Sequence, residues 1–456
     1  MRRVVLVVAA LLLAGGVAAW VAARPAKAPA PVAPRAPEAP AITLPSAPAV
    51  PSRLLGINEG LGSPERNAFA AAGTDAAIAR RAVMLRDLGA GVVRANNHGW
   101  PGLNHLEWTG PAGMDRLMDI AGRGGIDVIA VVGPWPGART AVHTPRYVPD
   151  DLPAYEAWVT SVVERYDGDG VDDAPGLLRP VLAWEVDNEP DHHNNVAPRG
   201  ADVPDFDPTT FETPEEYATV LVATSRAIRA ADPDATVLLG GMFRPAGPQG
   251  RAYLEAVLAR PGAHAAIDGL SLHCYFSQDS LDTVKRTMST ARELAPGLPV
   301  WITETGVPSV PPPDHADEDW HARMVAAVVG GFLAEGAEGV LWHTLVDARR
   351  DEDAGDPNGF AGRSLFRVTG GNPARIEPKP GAVVFSRLAA RLAGLGPRDL
   401  AEVPAEDGRL LETPNGWLAF WGAPPVPPGG GAVTDLLTGE TREADHAVSP
   451  AWIARP

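Results

Sequence analysis

Cysteine is almost missing from this 456-residue chain. Cys274 stands alone, so no intrachain disulfide can form and no cysteine-based metal site is available. It falls inside an apolar strand pattern and reads as a small buried hydrophobe. Lysine is nearly as scarce. Lys27, Lys285 and Lys379 stand against 36 arginines, which leaves few amines for Schiff-base chemistry. A basic stripe is also lacking, and the formal net charge is −17. That balance excludes a nucleic-acid binder, which needs clustered positive charge. No Gly-x-Gly-x-x-Gly turn follows the first predicted strand, which argues against a dinucleotide-binding open sheet. What remains is 45% hydrophobic and 21% charged, the composition of a globular protein rather than a disordered or collagen-like one.

The N-terminus has targeting features. Met1-Arg2-Arg3 is followed by an uncharged apolar run, Val4 to Ala23, that ends in the small residues Val21-Ala22-Ala23. Residues 1–23 read as a signal peptide or, uncleaved, as a signal anchor, because a run of that length can span a bilayer. Either reading exports the rest of the chain, secreted or periplasmic. The second adds a membrane tether through residues 4–23. Residues 24–52 are a proline- and alanine-rich linker with nine prolines. Such a stretch forms neither helix nor central strand and extends as a polyproline-type tether.

From Leu54 onward short apolar runs alternate with amphipathic stretches. The runs are Leu54–Ile57, Gly91–Arg94, Asp127–Val132, Val181–Val186, Thr236–Leu239, Gly269–Leu272, Val300–Ile302 and Gly339–Trp342. Each is too short for a helix and reads as a strand buried on both faces. Between them lie helical signals. Thr213-Pro214-Glu215-Glu216 is an N-cap threonine with proline at the first helical position and glutamate three residues after the cap. Glycines at 89, 122, 124, 125 and 336 suit helix ends. Eight strands alternating with helices predict an α/β fold, a (β/α)8 TIM barrel, over residues 53–395. The long irregular segments, including 133–153, 190–213, 307–317 and 347–378, all follow strands, which places them on the carboxyl rim of such a barrel. After a helix at Pro380–Leu392 the pattern changes. Leu410–Trp421 and Ala432–Arg442 predict short strands, with turns at Asn415-Gly416 and Thr438-Gly439. Residues 396–456 are read as a small C-terminal β appendage packed on the barrel.

Two carboxylates fall where a barrel puts its chemistry. Strand four ends in Trp184-Glu185-Val186-Asp187-Asn188-Glu189-Pro190, and strand seven in Trp301-Ile302-Thr303-Glu304-Thr305-Gly306. These two strands lie across the barrel mouth, so Glu189 and Glu304 can point into one cleft. A facing carboxylate pair is what glycoside hydrolysis needs: one group to protonate the leaving oxygen and one to act as nucleophile or base.

The Asn188-Glu189-Pro190 motif, together with Glu304 in Thr-Glu-Thr-Gly, resembles the clan A retaining glycoside hydrolases, families 39 and 5 in particular. Arg94 at the end of strand two, His273 and Tyr275 in Leu-His-Cys-Tyr, and Trp342 in Val-Leu-Trp-His fall at the expected strands. The resemblance covers about residues 53–395. It implies a glycosidase acting on a β-linked oligo- or polysaccharide by double displacement, without a cofactor or metal. Glu189 would be the general acid/base and Glu304 the nucleophile. Asn188 would bond the sugar 2-hydroxyl, and Arg94 and Tyr275 would orient Glu304 and keep it ionised. His273 would contact sugar or Glu189, and Trp342 would form the floor under the sugar. One departure is Asp187, where many clan members carry Trp or another neutral residue. Glu185, Asp187 and Glu189 at alternate positions would share one face of an ideal strand.

Further signals carry less. Trp135, with Trp100, Trp108 and His98, follows strands two and three and suits stacking under sugars. Asp191-His192-His193-Asn194 has metal-ligand residue types, but neighbouring histidines usually diverge. The acidic run from Asp351 to Gly359 lacks the EF-hand register and reads as a solvated loop rather than a calcium site. Two other functions are to be weighed. One is a catalytically inactive barrel that binds glycan. The other is a metal-dependent hydrolase built on Asp187, Asp191, His192 and His193. Carbohydrate is the expected partner, and no protein partner is predicted.

Overall fold

The computed structural model describes residues 42–58, 75–99, 111–134, 148–149, 151–191, 213–243, 245–276, 281–308, 317–346, 362–369 and 375–456. The predicted signal segment and most of the linker lie outside the described residues, as do Trp100, Trp108, Trp135, His192, His193 and the acidic run 351–359. Among the described residues, no helix is long and apolar enough to cross a membrane.

Eight parallel strands close into a barrel in sequence order: β1 (Ser52–Asn58), β2 (Ala90–Gly99), β3 (Asp127–Gly133), β4 (Ala183–Asn188), β5 (Val237–Phe243), β6 (Leu270–Tyr275), β7 (Val300–Gly306) and β8 (Gly339–His343). β8 pairs back onto β1, with Trp342 opposite Ile57 and His343 opposite Asn58. The predicted apolar runs all fall on these strands. β4 begins at Ala183 rather than Val181, and every strand continues beyond the carboxyl end that apolarity marked. The continuations of β1, β2, β4, β6, β7 and β8 include polar residues, and they carry the site.

The described helices of the barrel are α1 (Asp75–Leu88), α2 (Pro111–Arg123), α3 (Leu152–Glu164), α4 (Pro214–Ala231), α5 (Pro248–Leu258), α6 (Asp282–Leu294) and α7 (Glu318–Ala334). α4 opens on the predicted capping box. The Thr213 hydroxyl accepts from the Glu216 amide, and the Glu216 carboxylate accepts from the Thr213 amide. Gly89 and Gly336 end α1 and α7 at φ of 75° and 82°, a left-handed turn that glycine makes at least cost.

The barrel interior is layered. Val92, Ile129, Ala183, Leu238 and Leu341 form a fully apolar layer toward the strand starts. This plug keeps water out from below. Toward the carboxyl ends the inward positions turn polar, with Asn58, Arg94, Glu185, Ser271 and Thr303 all buried. Outward side chains such as Val93, Val186, Leu239, Ile302 and Trp342 join the large core between strands and helices.

After β8 come a hairpin, β9 (Phe366–Thr369) and β10 (Arg375–Pro378), and then α8 (Pro380–Leu392), whose bounds coincide with the predicted helix. A six-stranded sheet follows, made of β11 (Ala401–Ala405), β12 (Gly408–Thr413), β13 (Gly416–Gly422), β14 (Val433–Asp435), β15 (Thr441–Arg442) and β16 (Ala451–Ala454), in the order β11-β12-β13-β16-β14-β15. The hairpin turn sits one residue earlier than predicted. Thr413 pairs with Gly416, so Pro414 and Asn415 make the turn. β11 and β16 are additions to the predicted segments. One face of the sheet gives Leu411, Leu418, Phe420 and Trp452 to the main core, and the other holds a small core of its own around Trp417 and Ile453.

The sheet meets the barrel at α7, where a Cβ on Gly330 would lie 2.5 Å from the Phe420 Cβ. Phe420 cannot swing away from its own first carbon. Gly330→Ala is therefore expected to cost about 1–3 kcal/mol through overpacking. It should show as a lower urea midpoint with an unchanged m-value.

Candidate active site

Arg94 is the hub of the polar layer. The side chain is fully buried. Its Nε donates to Glu185 Oε2 at 3.0 Å and its Nη2 to Glu185 Oε1 at 2.5 Å, a forked pair. Nη2 also reaches Asn188 Oδ1 at 2.8 Å, and Nη1 reaches Glu304 Oε1 at 2.9 Å and Asn58 Oδ1 at 3.4 Å. Burial alone would lower the guanidinium pKa. The carboxylates of Glu185 and Glu304 outweigh it, so Arg94 keeps its charge more tightly than an ordinary arginine. Glu185 is satisfied on its far side too, by the Gly241 amide at 3.0 Å and the Ser271 hydroxyl at 2.9 Å.

Both cleft carboxylates depend on a local break in strand geometry. At the end of β4, Asp187 and the following Glu189 have φ of 71° and 51°. This left-handed region costs a non-glycine residue about 1–3 kcal/mol and recurs at functional sites. The kink cancels the expected alternation. Glu185 points into the barrel at Arg94, and so does Asn188. Asp187 turns back to accept its neighbour's amide, Asn188 N, at 2.6 Å. Its charge falls near Tyr155 of α3 and Tyr217 of α4, whose ionisation it opposes. The three acids therefore do not share one face. On β7 the register against β6 shifts between Leu272 opposite Ile302 and His273 opposite Glu304. Thr303 is the extra residue of this bulge. Its hydroxyl meets Ser271, and Glu304 is turned into the cleft.

Across the cleft, one carboxylate oxygen of Glu189 and one of Glu304 lie within 4.8 Å of each other and of a ring nitrogen of His273. Glu304 accepts from Arg94 on one oxygen and from the Tyr275 hydroxyl on the other. Burial would push the Glu304 carboxyl up. The neighbouring His273, His343 and Arg94 side chains and the Tyr275 hydrogen bond prevail and hold it at about 2 instead of 4.5. Burial, with the charges of Glu304 and Glu189, raises the Tyr275 phenol well above its usual value, so it remains a donor. Glu189 is held differently, by a hydrogen bond with His273. His273 Nδ1 lies 2.8 Å from Glu189 Oε1 and 3.6 Å from Glu304 Oε2. His273 Nε2 is buried and has no hydrogen-bond partner among the described residues. The ring proton therefore belongs on Nδ1, which donates to Glu189. A Cβ on Gly241 would lie 2.1 Å from Nε2, so only glycine at that position leaves room for the ring.

Residues 188–332, from the end of β4 through most of α7, match the family described as the glycosyl hydrolase catalytic core. The matched segment covers about a third of the chain. It contains Asn188, Glu189, His273, Tyr275 and Glu304. The same barrel occurs in several glycoside hydrolases of known structure. A family 5, subfamily 18 protein from Streptomyces cattleya, in complex with GlcNAc, is 18% identical over 76% of this chain and 82% of its own, with a TM-score of 0.51. A family 30, subfamily 8 xylanase from Clostridium acetobutylicum is 14% identical over 90% and 94%, with a TM-score of 0.52. A family 39 β-xylosidase from Caulobacter crescentus is 17% identical over 82% and 76%, with a TM-score of 0.50. No curated protein matches the chain. At these identities the likeness shows the fold, an eight-stranded α/β barrel.

The structure brings together Arg94, Asn188, Glu189, His273, Tyr275 and Glu304. It does not bring Trp342 to them. Trp342 is fully buried, its ring set edge-on against His321 of α7 at 5.6 Å. Strand alternation is the reason. Leu341 faces the barrel interior, so Trp342 faces the helices and His343 faces inward. Trp342 therefore cannot be the floor of the cleft. His343 holds that inward position, with Nδ1 3.1 Å from Asn58 Nδ2 and its ring edge-on to Tyr275 at 5.9 Å.

Asn58, Glu185 and His343 join the site without belonging to the motifs that marked it. Counting alternate positions from Leu341 and Gly56 would have found two of them. Trp135 lies outside the described residues. The Glu189–His273–Glu304 set has the donor types of a cation site, yet both Glu304 oxygens and one Glu189 oxygen already accept protein hydrogen bonds. Asp191 is committed elsewhere, accepting from the Phe243 amide at 2.7 Å.

Removing the hub should unfold what surrounds it. Arg94→Met would leave Glu185 buried without its cation, at a cost of about 3–5 kcal/mol in urea unfolding. Glu304 adds a pH dependence. Its folded pKa lies below the unfolded one, so its contribution is complete above about pH 4.5. That contribution is lost as pH falls toward 2, because the unfolded chain takes up the proton first. Stability measured between pH 6 and pH 3 should fall more steeply for the wild type than for Glu304→Gln.

Proposed function

We propose that the chain is a retaining O-glycosidase acting on a β-linked oligo- or polysaccharide, with Glu189 as general acid/base and Glu304 as nucleophile. The observation that carries the reading is the carboxylate pair itself. Its oxygens lie within 4.8 Å, in two unlike environments. Retaining enzymes hold their carboxyl groups about 5–5.5 Å apart, and inverting ones about 6.5–9.5 Å to admit a water.

In the first step an electron pair of the Glu304 carboxylate attacks the anomeric carbon. The bond to the leaving oxygen breaks, and that oxygen takes the Glu189 proton. In the second step Glu189, now ionised, accepts a proton from water. The water oxygen attacks the same carbon and releases Glu304. Arg94 and Tyr275 keep Glu304 ionised and fix both its oxygens. His273 steadies Glu189 through Nδ1. Asn188 commits its Oδ1 to Arg94, which turns its amide nitrogen toward the cleft as a donor for the sugar 2-hydroxyl. Each step is confined to the polar layer above the apolar plug, where a low dielectric strengthens these contacts. The structural relatives named for xylanase and β-xylosidase activity support a β-linked glycan as the substrate class. Export of the chain is part of this proposal and rests on residues 1–23 of the sequence.

A panel of aryl β-glycosides tests the reading. One sugar should release nitrophenol, and Glu304→Gln should abolish that release. Glu189→Gln should spare the first step only for aryl leaving groups that need no proton. Full activity in Glu304→Gln, or loss of activity in chelator, would overturn the two-carboxylate mechanism. The latter would favour a metal-dependent hydrolase.

A further inference from the structure

The segment that follows β8 returns to the barrel wall and is held there by three side chains from outside. Trp342 Nε1 donates to the Arg363 carbonyl at 2.7 Å, and His321 Nε2 approaches the same oxygen at 3.1 Å. Lys379 Nζ, almost fully buried, donates to the Gly362 carbonyl at 3.0 Å. Backbone bonds from Leu365 to Thr344 and from Phe366 to Leu345 tie the segment to the end of β8. His321 must carry its proton on Nε2 to bond a carbonyl. Burial, with Lys379 nearby, lowers its pKa to about 3, so the neutral ring persists at working pH.

The residue pinned in this way points its side chain across the wall. The Arg363 guanidinium carbon sits 4.4 Å from the centroid of the Tyr275 ring. His343 closes the same ring edge-on. The Tyr275 hydroxyl, at the far end of the ring, donates to Glu304. An arginine over an aromatic face is attracted to the ring more strongly the less water reaches it, and Arg363 is only 8% exposed.

We propose that Arg363 is a positioning residue for the nucleophile: its guanidinium clamps the Tyr275 ring so that the phenol stays on Glu304, and Trp342, His321 and Lys379 hold Arg363 in place from outside the barrel. This inference rests on the reading of Glu304 as nucleophile. It also gives the buried Trp342 a role quite different from a sugar floor. Glu304, Glu189 and His343 also face Tyr275, and Arg363 is the guanidinium set over its ring. Without the clamp the ring can tilt, the hydroxyl leaves Glu304, and the carboxylate loses one of the bonds that hold its pKa down.

Two readouts test this, one of them independent of activity. In protein labelled with 3-fluorotyrosine, the Tyr275 resonance is assigned by its loss in Tyr275→Phe. Arg363→Met and Trp342→Phe should each move or broaden that resonance and leave the other five tyrosine signals in place. In kinetics on the best aryl glycoside, Arg363→Met should lower kcat by about tenfold to a hundredfold, as a misplaced catalytic contact does. It should also shift the acid limb of kcat/KM to higher pH. Arg363→Lys should restore part of both, because an ammonium can also sit over the ring. Arg363→Met should add little in a Tyr275→Phe background, since both act through one hydroxyl. An unmoved Tyr275 resonance in both Arg363→Met and Trp342→Phe overturns the clamp whatever the activity. Multiplying losses in the double variant would overturn it as well. Should no glycoside be cleaved, the glycosidase reading fails while the resonance still decides the clamp. If Arg363→Met does not fold, Arg363→Lys and Trp342→Phe carry the same comparison.

Discussion

A positive charge with no access to water organises the centre of this barrel. Arg94 is buried among Glu185, Glu304, Asn188 and Asn58, and it reaches residues on β1, β4 and β7 from its own place on β2. An isolated guanidinium at that depth would be strongly disfavoured, and so would either carboxylate by itself. Together they are stable only in one arrangement. The geometry of the site thus follows from the need to neutralise charge in a dry interior. The apolar layer of Val92, Ile129, Ala183, Leu238 and Leu341 beneath it makes that interior dry.

The cleft exploits what Arg94 imposes. Glu304 is ionised because Arg94 and Tyr275 occupy its oxygens, whereas Glu189 has a histidine as its hydrogen-bond partner. Two chemically identical side chains are thereby made unequal, which acid/base and nucleophilic roles require. The supporting contacts extend outward in shells. Gly241 leaves room for His273, and Ser271 ties Glu185 to the β7 bulge through Thr303. On the opposite side, Trp342 and Lys379 brace the segment that carries Arg363 to the Tyr275 ring. Buried polar groups of this kind are costly when partly satisfied and rigid when complete.

Much of this was legible in the chain. The eight apolar runs marked the barrel strands because a strand buried on both faces must be apolar at successive positions. Thr213 to Glu216 marked the start of α4, and Pro380 to Leu392 marked α8, because capping and helical spacing are local properties. Glu189 and Glu304 stood out because they follow such runs directly. Less legible was anything that depended on strand direction at the carboxyl ends. Trp342 looked like a cleft residue by its place in the motif, yet faces the helices. His343, its neighbour, faces inward.

The sequence by itself determined the barrel, the order of its strands and the two glutamates at its mouth, since periodicity and burial follow from residue type along the chain. Tertiary structure alone decided which side chains meet. The left-handed turn at Asp187 and Glu189 and the extra residue at Thr303 shift alternation by one. Neither leaves a trace in composition, because each is a strained or irregular backbone state held by partners distant in sequence. Arg94 is 91 residues from Glu185 and 210 from Glu304, and only a closed barrel brings these charges within hydrogen-bond reach.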